Sequence, residues 1–307
     1  MTKLPELDDP IHLCSRFLLK RNIAKHPFPH KLTPQNRANL LALIPSAKPL
    51  EELSFELADI FQVQKNLEGG QGFIDEAPLL ILINHDDHLS FYGISSALKW
   101  NDTKKLLLEK EKSFSFLFPF AYHPKFGFLT SHFDTCGAAF TYTIDLHLPL
   151  LHRLGHLESA LQEELTPDVK LSSVPGDFIS ISNGLTLGCT EEHIFHSVNA
   201  SAERLKKAEL SLREHIGEHK EIKDLIARAF GLLQHSCQLE FPEALDALSL
   251  LMLGVELKFL EGMTFKELFD LTFLSKREFL HIPHEEDLLE KRASFFKEKL
   301  AHLKPLI

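Results

Sequence analysis

The chain shows two patterns of apolar and polar positions, and the change between them comes at about residue 190. Before that point, short apolar runs such as Leu79–Ile83 and Phe126–Leu129 are separated by glycine and proline, as strands and turns are. Phe178–Ser182 alternates apolar and polar residues over its second half, which is typical of a half-buried strand. Asn183-Gly184 marks a turn after it. The first part of the chain is therefore predicted to be rich in strands.

A long helix is predicted after Gly188. Thr190 is a good N-cap, and the acidic pair Glu191-Glu192 favours the positive end of the helix dipole. Apolar residues then recur at helical spacing, at Ile194, Val198, Ala202, Leu205, Leu212 and Ile216. Gly217 is the predicted end of this helix.

The remainder of the chain is predicted to be helical. Thr264 and Glu267 have the spacing of a capping box. The predicted helices are Ile222–Cys237, Pro242–Leu260 with Gly262 as C-cap, Thr264–Leu274, and Glu285–Leu303 with Lys and Arg along its exposed face.

Composition excludes several classes of protein. With 307 residues, the chain is long enough for one large domain or two smaller ones. A net charge of −10 argues against a general nucleic-acid or anionic-membrane binder, which needs a basic surface. No apolar run approaches the roughly 20 residues that span a bilayer. The four cysteines form no C-x-x-C pair, so a zinc ribbon is not expected. The polar start of the chain predicts a cytoplasmic protein with reduced thiols.

Polar, titratable residues follow the strand predicted at Leu79–Ile83, in the sequence Asn84-His85-Asp86-Asp87-His88-Leu89-Ser90. Such residues at the end of a buried strand are typical of a functional site. The stretch resembles the Asn-Glu-Glu-Asp-His-Leu-Arg signature of the guanidino (phosphagen) kinases. In that family the second Glu is the catalytic base and the Arg binds nucleotide phosphate. The resemblance implies that Asp86 stands at the catalytic position and Ser90 at the phosphate-binding position.

Further motifs resemble those of the bacterial protein-arginine kinases, which are phosphagen-kinase relatives that phosphorylate arginine in proteins and mark them for the ClpC unfoldase. Their order and spacing agree over nearly the whole chain. The motifs lie at Cys14–Asn22, Gly127–Ser131, His147–Pro149, Ile181–Gly188 with Glu191-Glu192 after it, and Leu248–Leu260.

The resemblance implies an α+β fold. We expect an antiparallel sheet flanked by helices over residues 1–217, as in the guanidino kinase catalytic domain. An all-helical C-terminal domain is expected over residues 218–307. The segment between Asn22 and Leu79 is shorter than the family's usual one, so part of the nucleotide-side lobe is expected to be trimmed.

Most of the family's phosphate-binding arginines have no counterpart here. Planar guanidinium groups bind phosphate oxygens in bidentate fashion, which makes these arginines important for phosphoryl transfer. Arg16 stands at the first of their positions. Leu18, Ser90, Thr141 and the segment Val169–Val174 stand at the others, the last in place of an Arg-Gly-x-Tyr-Gly-Glu loop. No arginine occurs between Arg153 and Arg204.

Two catalytic positions are altered as well. His132 stands where the family has a reactive cysteine, and Asp86 is one methylene shorter than the family's Glu. A base displaced by about 1 Å is badly placed for proton abstraction. Each missing phosphate-binding charge typically costs on the order of 10² to 10³ in rate. The sequence therefore predicts a single pocket bounded by Arg16, Asp86, Ser90, His132 and Thr141, without the charge that a triphosphate needs.

Other interpretations of these residues stay open. His85, Asp86, Asp87 and His88 are suitable as metal ligands, although remnants held by local hydrogen bonds are favoured and no metal is expected. Arg16 and Arg21 either hold an anion or form surface salt bridges. His132 with Asp134 suggests acid–base chemistry, but no nucleophile is placed beside them. Arg292 corresponds to the second half of the family's phosphoarginine pocket motif, Arg-Asp-x-x-Arg-Ala, or lies on a solvated helix face.

The sequence favours a pseudokinase that acts as a regulatory or adaptor protein in ClpC-linked protein quality control, with no cofactor. Its implied partners are a ClpC-type unfoldase or a zinc-finger activator of the McsA type. The alternative is an active ATP-dependent protein-arginine phosphotransferase with a rebuilt site, which would use ATP and magnesium. A homodimer is predicted through the C-terminal helices. Its basis is the apolar density at Leu245, Leu248, Leu250, Leu251, Leu253, Val255 and Leu257, with a helix buried inside its own domain as the alternative.

Overall fold

A computed structural model describes residues 6–65, 67–216, 220–280 and 287–306 of the protein. The strands are β1 His12–Arg21, β2 Lys48–Pro49, β3 Gly72–Glu76, β4 Leu79–Ile83, β5 Leu89–Ser95, β6 Tyr122–His123, β7 Gly127–Phe128, β8 Phe140–His147, β9 Val169–Val174, β10 Phe178–Asn183, β11 Leu260–Glu261 and β12 Lys304–Pro305. The helices are α1 Pro34–Ala42, α2 Phe55–Ile60, α3 Trp100–Ser115, α4 Pro149–Arg153, α5 Leu157–Glu164, α6 Glu191–Glu214, α7 Lys220–His235, α8 Phe241–Glu256, α9 Phe265–Leu274, α10 Arg277–Leu280 and α11 Leu288–Lys299.

The main sheet has eight strands in the order β2-β3-β4-β5-β1-β8-β10-β9. β1 pairs with β5 in antiparallel register, with Lys20 opposite Ser90 and Leu18 opposite Tyr92. β4 pairs with β3 and β5 in the same antiparallel sense. The predicted antiparallel sheet flanked by helices is therefore confirmed.

The chain divides into two compact units, each built from several segments. The first comprises Met1–Ile144, Thr166–Lys170 and Ile181–Ser201. The second comprises Asp145–Leu165, Leu171–Ser180 and Ala202–Ile307. The boundary predicted between residues 217 and 218, together with Gly217 as a helix end, lies outside the described residues and stays a prediction.

The core of the first unit packs on both faces of its strands. All five residues of β4 are buried, as its uninterrupted apolar run predicts. On one face, Leu80 and Leu82 pack against the short helices of the segment before β3, through Leu53 and Phe61. On the other face aromatic rings pack against one another. The ring of Phe17 stacks on that of Tyr142, with 5.1 Å between the ring centroids. These contacts hold β1, β4 and β5 in a fixed frame for the residues at their ends.

Several predicted elements are confirmed in the structure. β10 matches the strand predicted at Phe178–Ser182. α6 begins after Thr190, whose Oγ1 accepts the His193 N–H at 3.2 Å. Thr264 and Glu267 form the predicted capping box at the start of α9.

Other predicted elements are wrong in their limits. The run predicted as a strand at Phe126–Leu129 forms only the short β7. The helix predicted over Pro242–Leu260 ends at Glu256, and Leu260 instead begins β11, which pairs with β12. Gly262 is not the C-cap of α8. It follows β11 with φ of 100°, where an added Cβ would lie 2.0 Å from the His302 carbonyl oxygen.

The end of the chain also differs from the prediction. The last helix, α11, begins at Leu288, and residues 281–286 lie outside the described part of the chain. The C-terminal region is helical apart from the small β11–β12 sheet.

The apolar density of α8 has an explanation inside the second unit. Most residues from Ala244 to Gly254 are buried, and the helix packs against α7 and α9. An all-apolar helix is expected when every face is covered. The density therefore no longer argues for a dimer interface, and the homodimer stays a prediction without this support.

Candidate functional site

The turn between β4 and β5 exposes some of its polar residues and buries others. Asn84 adopts a positive φ of 54°, and its Nδ2 donates to the backbone oxygens of Arg37 and Gly70 at 3.0 and 2.9 Å. The turn is closed by the Asn84 N–H, which donates to the His88 oxygen. Asp86 then lies at the tip with a side chain that is 49% exposed, whereas Asp87 and His88 are fully buried.

Asp87 connects three segments of the first unit. Its Oδ1 accepts hydrogen bonds from Asn22 Nδ2 at 2.6 Å and from the Ser131 N–H at 2.7 Å. Its Oδ2 lies 3.6 Å from Lys20 Nζ. Asn22 completes the network because its Oδ1 accepts the His88 N–H at 2.9 Å. Asp87 thus fixes the loop after Leu129 against the end of β1.

Sequence reasoning did not assign this role to Asp87. It placed the chemistry on Asp86 and treated Asp87 as a remnant or a metal ligand. The available signal was the presence of Asn22 at the end of the first motif and Ser131 at the end of the second. Both are polar partners that a buried carboxylate requires.

His88 is buried in its neutral form. Its Nδ1 accepts the Ile23 N–H at 3.2 Å, so the proton of the neutral ring is on Nε2. The pKa of His88 is lowered to about 4, chiefly by burial and in part by neighbouring His26, while Asp87 acts in the opposite direction. A proton on Nδ1 would also point at the Ile23 N–H, so two hydrogen-bond donors would face each other.

This burial predicts a loss of stability in mild acid. The unfolded chain binds a proton with a pKa of 6.5, while folded His88 does so only at about 4. The unfolded state therefore binds more protons between these values, so the free energy of unfolding should fall by about 3 kcal/mol as pH drops through this window. Urea denaturation from pH 7 to pH 4 measures this loss.

His88→Asn is the informative variant for that prediction. Asparagine keeps an acceptor for the Ile23 N–H and does not titrate. We expect the pH dependence of unfolding to be shallower in this variant by about 2–3 kcal/mol over the same window. An unchanged pH dependence would assign the acid sensitivity to other groups.

Arg16 and Thr141 line one cavity of about 230 Å³, together with Leu18, Gln62 and Tyr92. Arg16 Nη1 donates to Gln62 Oε1. Burial raises the pKa of the Tyr92 phenol, and Asp86 and Asp87 add to this effect, so the phenol is neutral. Among the described residues that line this cavity, Arg16 is the single cationic side chain.

Asp86 and His132 line a second cavity, of about 350 Å³, with His30, His85 and Glu68. His85 Nε2 donates to the Gln64 oxygen at 2.9 Å, and its Nδ1 lies 3.5 Å from Asp86 Oδ1. No Lys or Arg is among the described residues lining it. The two cavities have no lining residue in common.

Ser90 belongs to neither cavity. It lies in β5 opposite Lys20 and Leu82 and is 1% exposed. The single pocket predicted from Arg16, Asp86, Ser90, His132 and Thr141 is therefore wrong. The structure brings together Arg16 with Thr141 and Asp86 with His132, and it buries Ser90 within the sheet's packed interior.

Arg21 forms neither a surface salt bridge nor an open anion site. Its side chain is 2% exposed, and its Nε donates to Glu111 Oε1 at 2.9 Å. Nη2 lies 3.9 Å from Glu191, and the guanidinium stacks 3.5 Å from the centroid of Phe128. Burial lowers the pKa of this guanidinium while Glu111 raises it. Arg21 is thus a structural cation, because its Nε and Nη1 groups donate hydrogen bonds within the fold and its Nη2 lies near Glu191.

The segment Val169–Val174 forms β9, next to β10 at one edge of the sheet. The turn after it is held by Asp177, which accepts from Arg153 Nη2 at 3.1 Å and from Ser249 Oγ at 2.5 Å within the second unit. A regular strand with an anchored turn stands where the family has its arginine-bearing loop.

Arg292 is buried rather than on a solvated helix face. It is 3% exposed, and its guanidinium donates to the backbone oxygens of Ser275 and Leu239 at 3.1 and 2.9 Å. Burial lowers the pKa of this group. The guanidinium ties α11 to the end of α9 and to the segment before α8, which leaves fewer donors for a phosphate.

Within the described part of the chain, no three His, Cys, Asp or Glu side chains are arranged to hold a metal ion. This holds for His85, Asp86, Asp87 and His88 as well. Among these same residues, none of the helices has the length and apolarity to cross a bilayer.

Two known protein families match successive parts of the chain. Residues 51–212 match the ATP:guanido phosphotransferase C-terminal catalytic domain. Residues 219–306 match the protein-arginine kinase McsB C-terminal domain.

Curated relatives give the same result. A protein-arginine kinase from Chlamydia pneumoniae is 35% identical over 58% of this chain and 52% of its own length. A protein-arginine kinase from Desulforamulus reducens is 27% identical, over 97% of this chain and 94% of its own length. The chain spans about half the length of the chlamydial relatives that it matches.

Solved structures support the fold. The duplicated taurocyamine kinase from Schistosoma mansoni superposes with a TM-score of 0.59 at 16% identity, covering 74% of this chain and 40% of that one. A lombricine kinase gives a TM-score of 0.54 at 17% identity, covering 70% and 73%. The chain therefore belongs to the ATP:guanido phosphotransferase family, within which it is similar to the McsB-type protein-arginine kinases along nearly its whole length.

Proposed function

We propose that this chain is a non-catalytic member of the protein-arginine kinases, a pseudokinase that acts as a regulatory or adaptor protein in ClpC-linked protein quality control. The observation that carries the proposal is the charge of the Arg16 cavity. Leu18 and Thr141 stand beside Arg16 where the family has further arginines, and they add no charge.

The nearby cations do not replace that charge. Arg21 is committed to Glu111 and Phe128, and Lys20 lies against Asp87. Arg37 pairs with Glu68 at 2.6 Å and donates to the Pro29 oxygen. A bound triphosphate would meet one guanidinium, and unpaired phosphate charge in a cleft of low dielectric is costly. The residues present therefore do not fit ATP with magnesium, and no catalytic step is derived through them.

The missing phosphate-binding donors are expected to abolish phosphoryl transfer rather than only slow it. Each missing phosphate-binding donor typically costs a few kcal/mol of transition-state stabilisation, or about 10² to 10³ in rate. Three such losses in one site, even with strong non-additivity, leave negligible phosphoryl transfer.

The alternative is an active ATP-dependent protein-arginine phosphotransferase with a rebuilt site. One observation favours it. Asp86 stays half exposed in a cavity with His85 and His132, so a carboxylate still reaches solvent at the position of the family's catalytic base. This cavity would bind a guanidinium more readily than a phosphate.

The partners in this proposal come from the resemblance. They are a ClpC-type unfoldase, an activator of the McsA type and a second copy of the chain, in a cytoplasmic setting. Each is tested by co-purification and light scattering with the purified proteins.

The proposal is tested by phosphotransfer. The purified protein is incubated with ATP-magnesium, an unfolded arginine-containing protein and an McsA-type activator, and phosphoarginine is measured by mass spectrometry. We expect no phosphoarginine above a reaction without enzyme, while a catalytically competent protein-arginine kinase serves as positive control. Clear arginine phosphorylation that disappears in Asp86→Ala would establish the alternative.

A further inference from the structure

A third cavity in the first unit, which we call the aromatic pocket, has a volume of about 360 Å³. Its lining includes the aromatic side chains of Tyr122, Phe126 and Phe128. It also includes the charged residues Lys125, Glu191 and Glu192. It has no lining residue in common with the Arg16 cavity or the Asp86 cavity. Neither the proposed function nor the kinase motifs account for it.

The walls of the aromatic pocket continue into an exposed apolar surface. Tyr122 is 59% exposed and lies 5.4 Å from Phe128, with the two rings nearly perpendicular. Phe133 is 70% exposed, and its ring lies 6.4 Å from that of Phe126. Exposed aromatic side chains grouped in this way usually mark an interaction site rather than a random surface.

A second segment extends this surface with Leu185 and Leu187, which are 59% and 37% exposed. Thr186 between them is buried and fixes the segment, because its Oγ1 donates to the Cys136 oxygen at 2.6 Å and to the Asp134 oxygen at 3.2 Å. The exposed leucines thus lie beside the loop that carries Phe133.

The floor of the pocket is built by closely packed backbone. Gly137 has φ of 107°, and a Cβ there would lie 2.3 Å from the Thr186 oxygen. Gly127 has φ of 72°, and its Cβ would lie 2.6 Å from the Gly137 oxygen. Two glycines therefore allow three segments to touch, which gives a preformed site.

The charged residues that line the pocket are Lys125, Glu191 and Glu192, so carboxylates outnumber cations in the lining. The faces of aromatic rings attract cations, and carboxylates at the rim add to this attraction. The chain itself places cations on these rings. Arg21 stacks on Phe128 and lies near Glu191, and Lys125 Nζ lies 5.5 Å from the centroid of Phe126. Glu192 is exposed to solvent in the lining of the pocket.

We propose that the aromatic pocket docks a segment of a partner protein that carries a lysine or arginine side chain next to apolar residues. The cation enters between the rings and Glu192, and its apolar neighbours rest on Phe133 and Leu185. This interaction goes beyond the proposed function and is independent of whether the chain transfers phosphate.

The test uses the full-length protein labelled with nitrogen-15 and the synthetic peptide Gly-Ser-Leu-Arg-Leu-Ser-Gly. We expect the amide signals of Lys125, Gly137, Gly188 and Glu192 to shift on titration. A peptide with Gln in place of Arg should bind at least about tenfold more weakly, because it keeps the shape and loses the charge.

Matched variants locate the contact. Phe133→Ala should weaken binding severalfold, whereas Phe116→Ala, another highly exposed phenylalanine, should leave it unchanged. Glu192→Lys should reduce binding about tenfold or more, whereas Glu203→Lys, an exposed position on the same helix, should have no such effect.

Three outcomes would overturn the proposal. Equal binding of the Arg and Gln peptides would remove the cation selectivity. Shifts confined to His85, Asp86 and His132 would place the peptide in the Asp86 cavity instead. Light scattering showing that Phe133→Ala or Glu192→Lys converts a dimer to a monomer would mean that a second copy of the chain covers this surface.

Discussion

Replacing Arg21 with methionine is expected to lower the free energy of unfolding by about 3–5 kcal/mol, because it leaves a largely buried carboxylate without its cation. The Arg21 side chain is 2% exposed and Glu111 is 16% exposed, with 2.9 Å between Nε and Oε1. The substitution also removes the guanidinium that stacks on Phe128 and lies near Glu191. Chemical denaturation at pH 7 measures the loss.

Two further variants identify the cause of that loss. Arg228→Met removes an arginine whose side chain is 76% exposed and which pairs with Asp224 in the same helix, so it should change stability by less than about 0.5 kcal/mol. The double variant Arg21→Met/Glu111→Leu should recover a large part of the loss, since it removes the unpaired charge as well. A single Arg21→Met variant with wild-type stability would show that the pair is not a structural element.

The double substitution Leu18→Arg/Thr141→Arg is expected to increase ATP affinity by about 100-fold. Both residues are half-buried and line the cavity of Arg16, so the new guanidinium groups can reach the same phosphates. Hydrogen bonds to charged groups contribute about 1.5–3 kcal/mol each, and every 1.4 kcal/mol is a tenfold change. Calorimetric titration with ATP-magnesium measures the gain.

The matched control is Leu18→Met/Thr141→Met, which adds length without charge and should leave ATP affinity at the wild-type level.

Phosphoryl transfer should not return in the arginine variant, because Val169–Val174 is a strand and brings no arginine. Ser90→Arg is a poor addition, since Ser90 is 1% exposed and a guanidinium there would be forced into a packed interior. Unchanged ATP affinity in Leu18→Arg/Thr141→Arg would show that charge is not what the cavity lacks.

The sequence predicts the fold well where local signals and the global structure agree. The apolar run of β4, the alternation of β10 and the cap at Thr190 all correspond to elements in the structure. The limits of α8 could not be predicted in this way. Leu257 and Leu260 continue its apolar pattern, but the pairing of Leu260 with Pro305 is a contact between distant parts of the chain.

The candidate site, like the fold, could be predicted from the sequence only in part. The motifs identify the correct turn, yet they do not show which side chains face a cavity. Asp86 and Asp87 are neighbours in the sequence, but the turn exposes the first and buries the second. Arg21 and Arg292 look like surface cations in the sequence, and only tertiary packing reveals their carboxylate, carbonyl and aromatic partners.

The most direct test of the central claim is a calorimetric titration of the wild-type protein with ATP-magnesium. With one guanidinium in the Arg16 cavity, we expect a Kd no tighter than about 1 mM, and no change in the measured heat on Arg16→Ala. A Kd in the micromolar range that is lost in Arg16→Ala would contradict the account, because it would show a nucleotide site that retains its phosphate-binding charge.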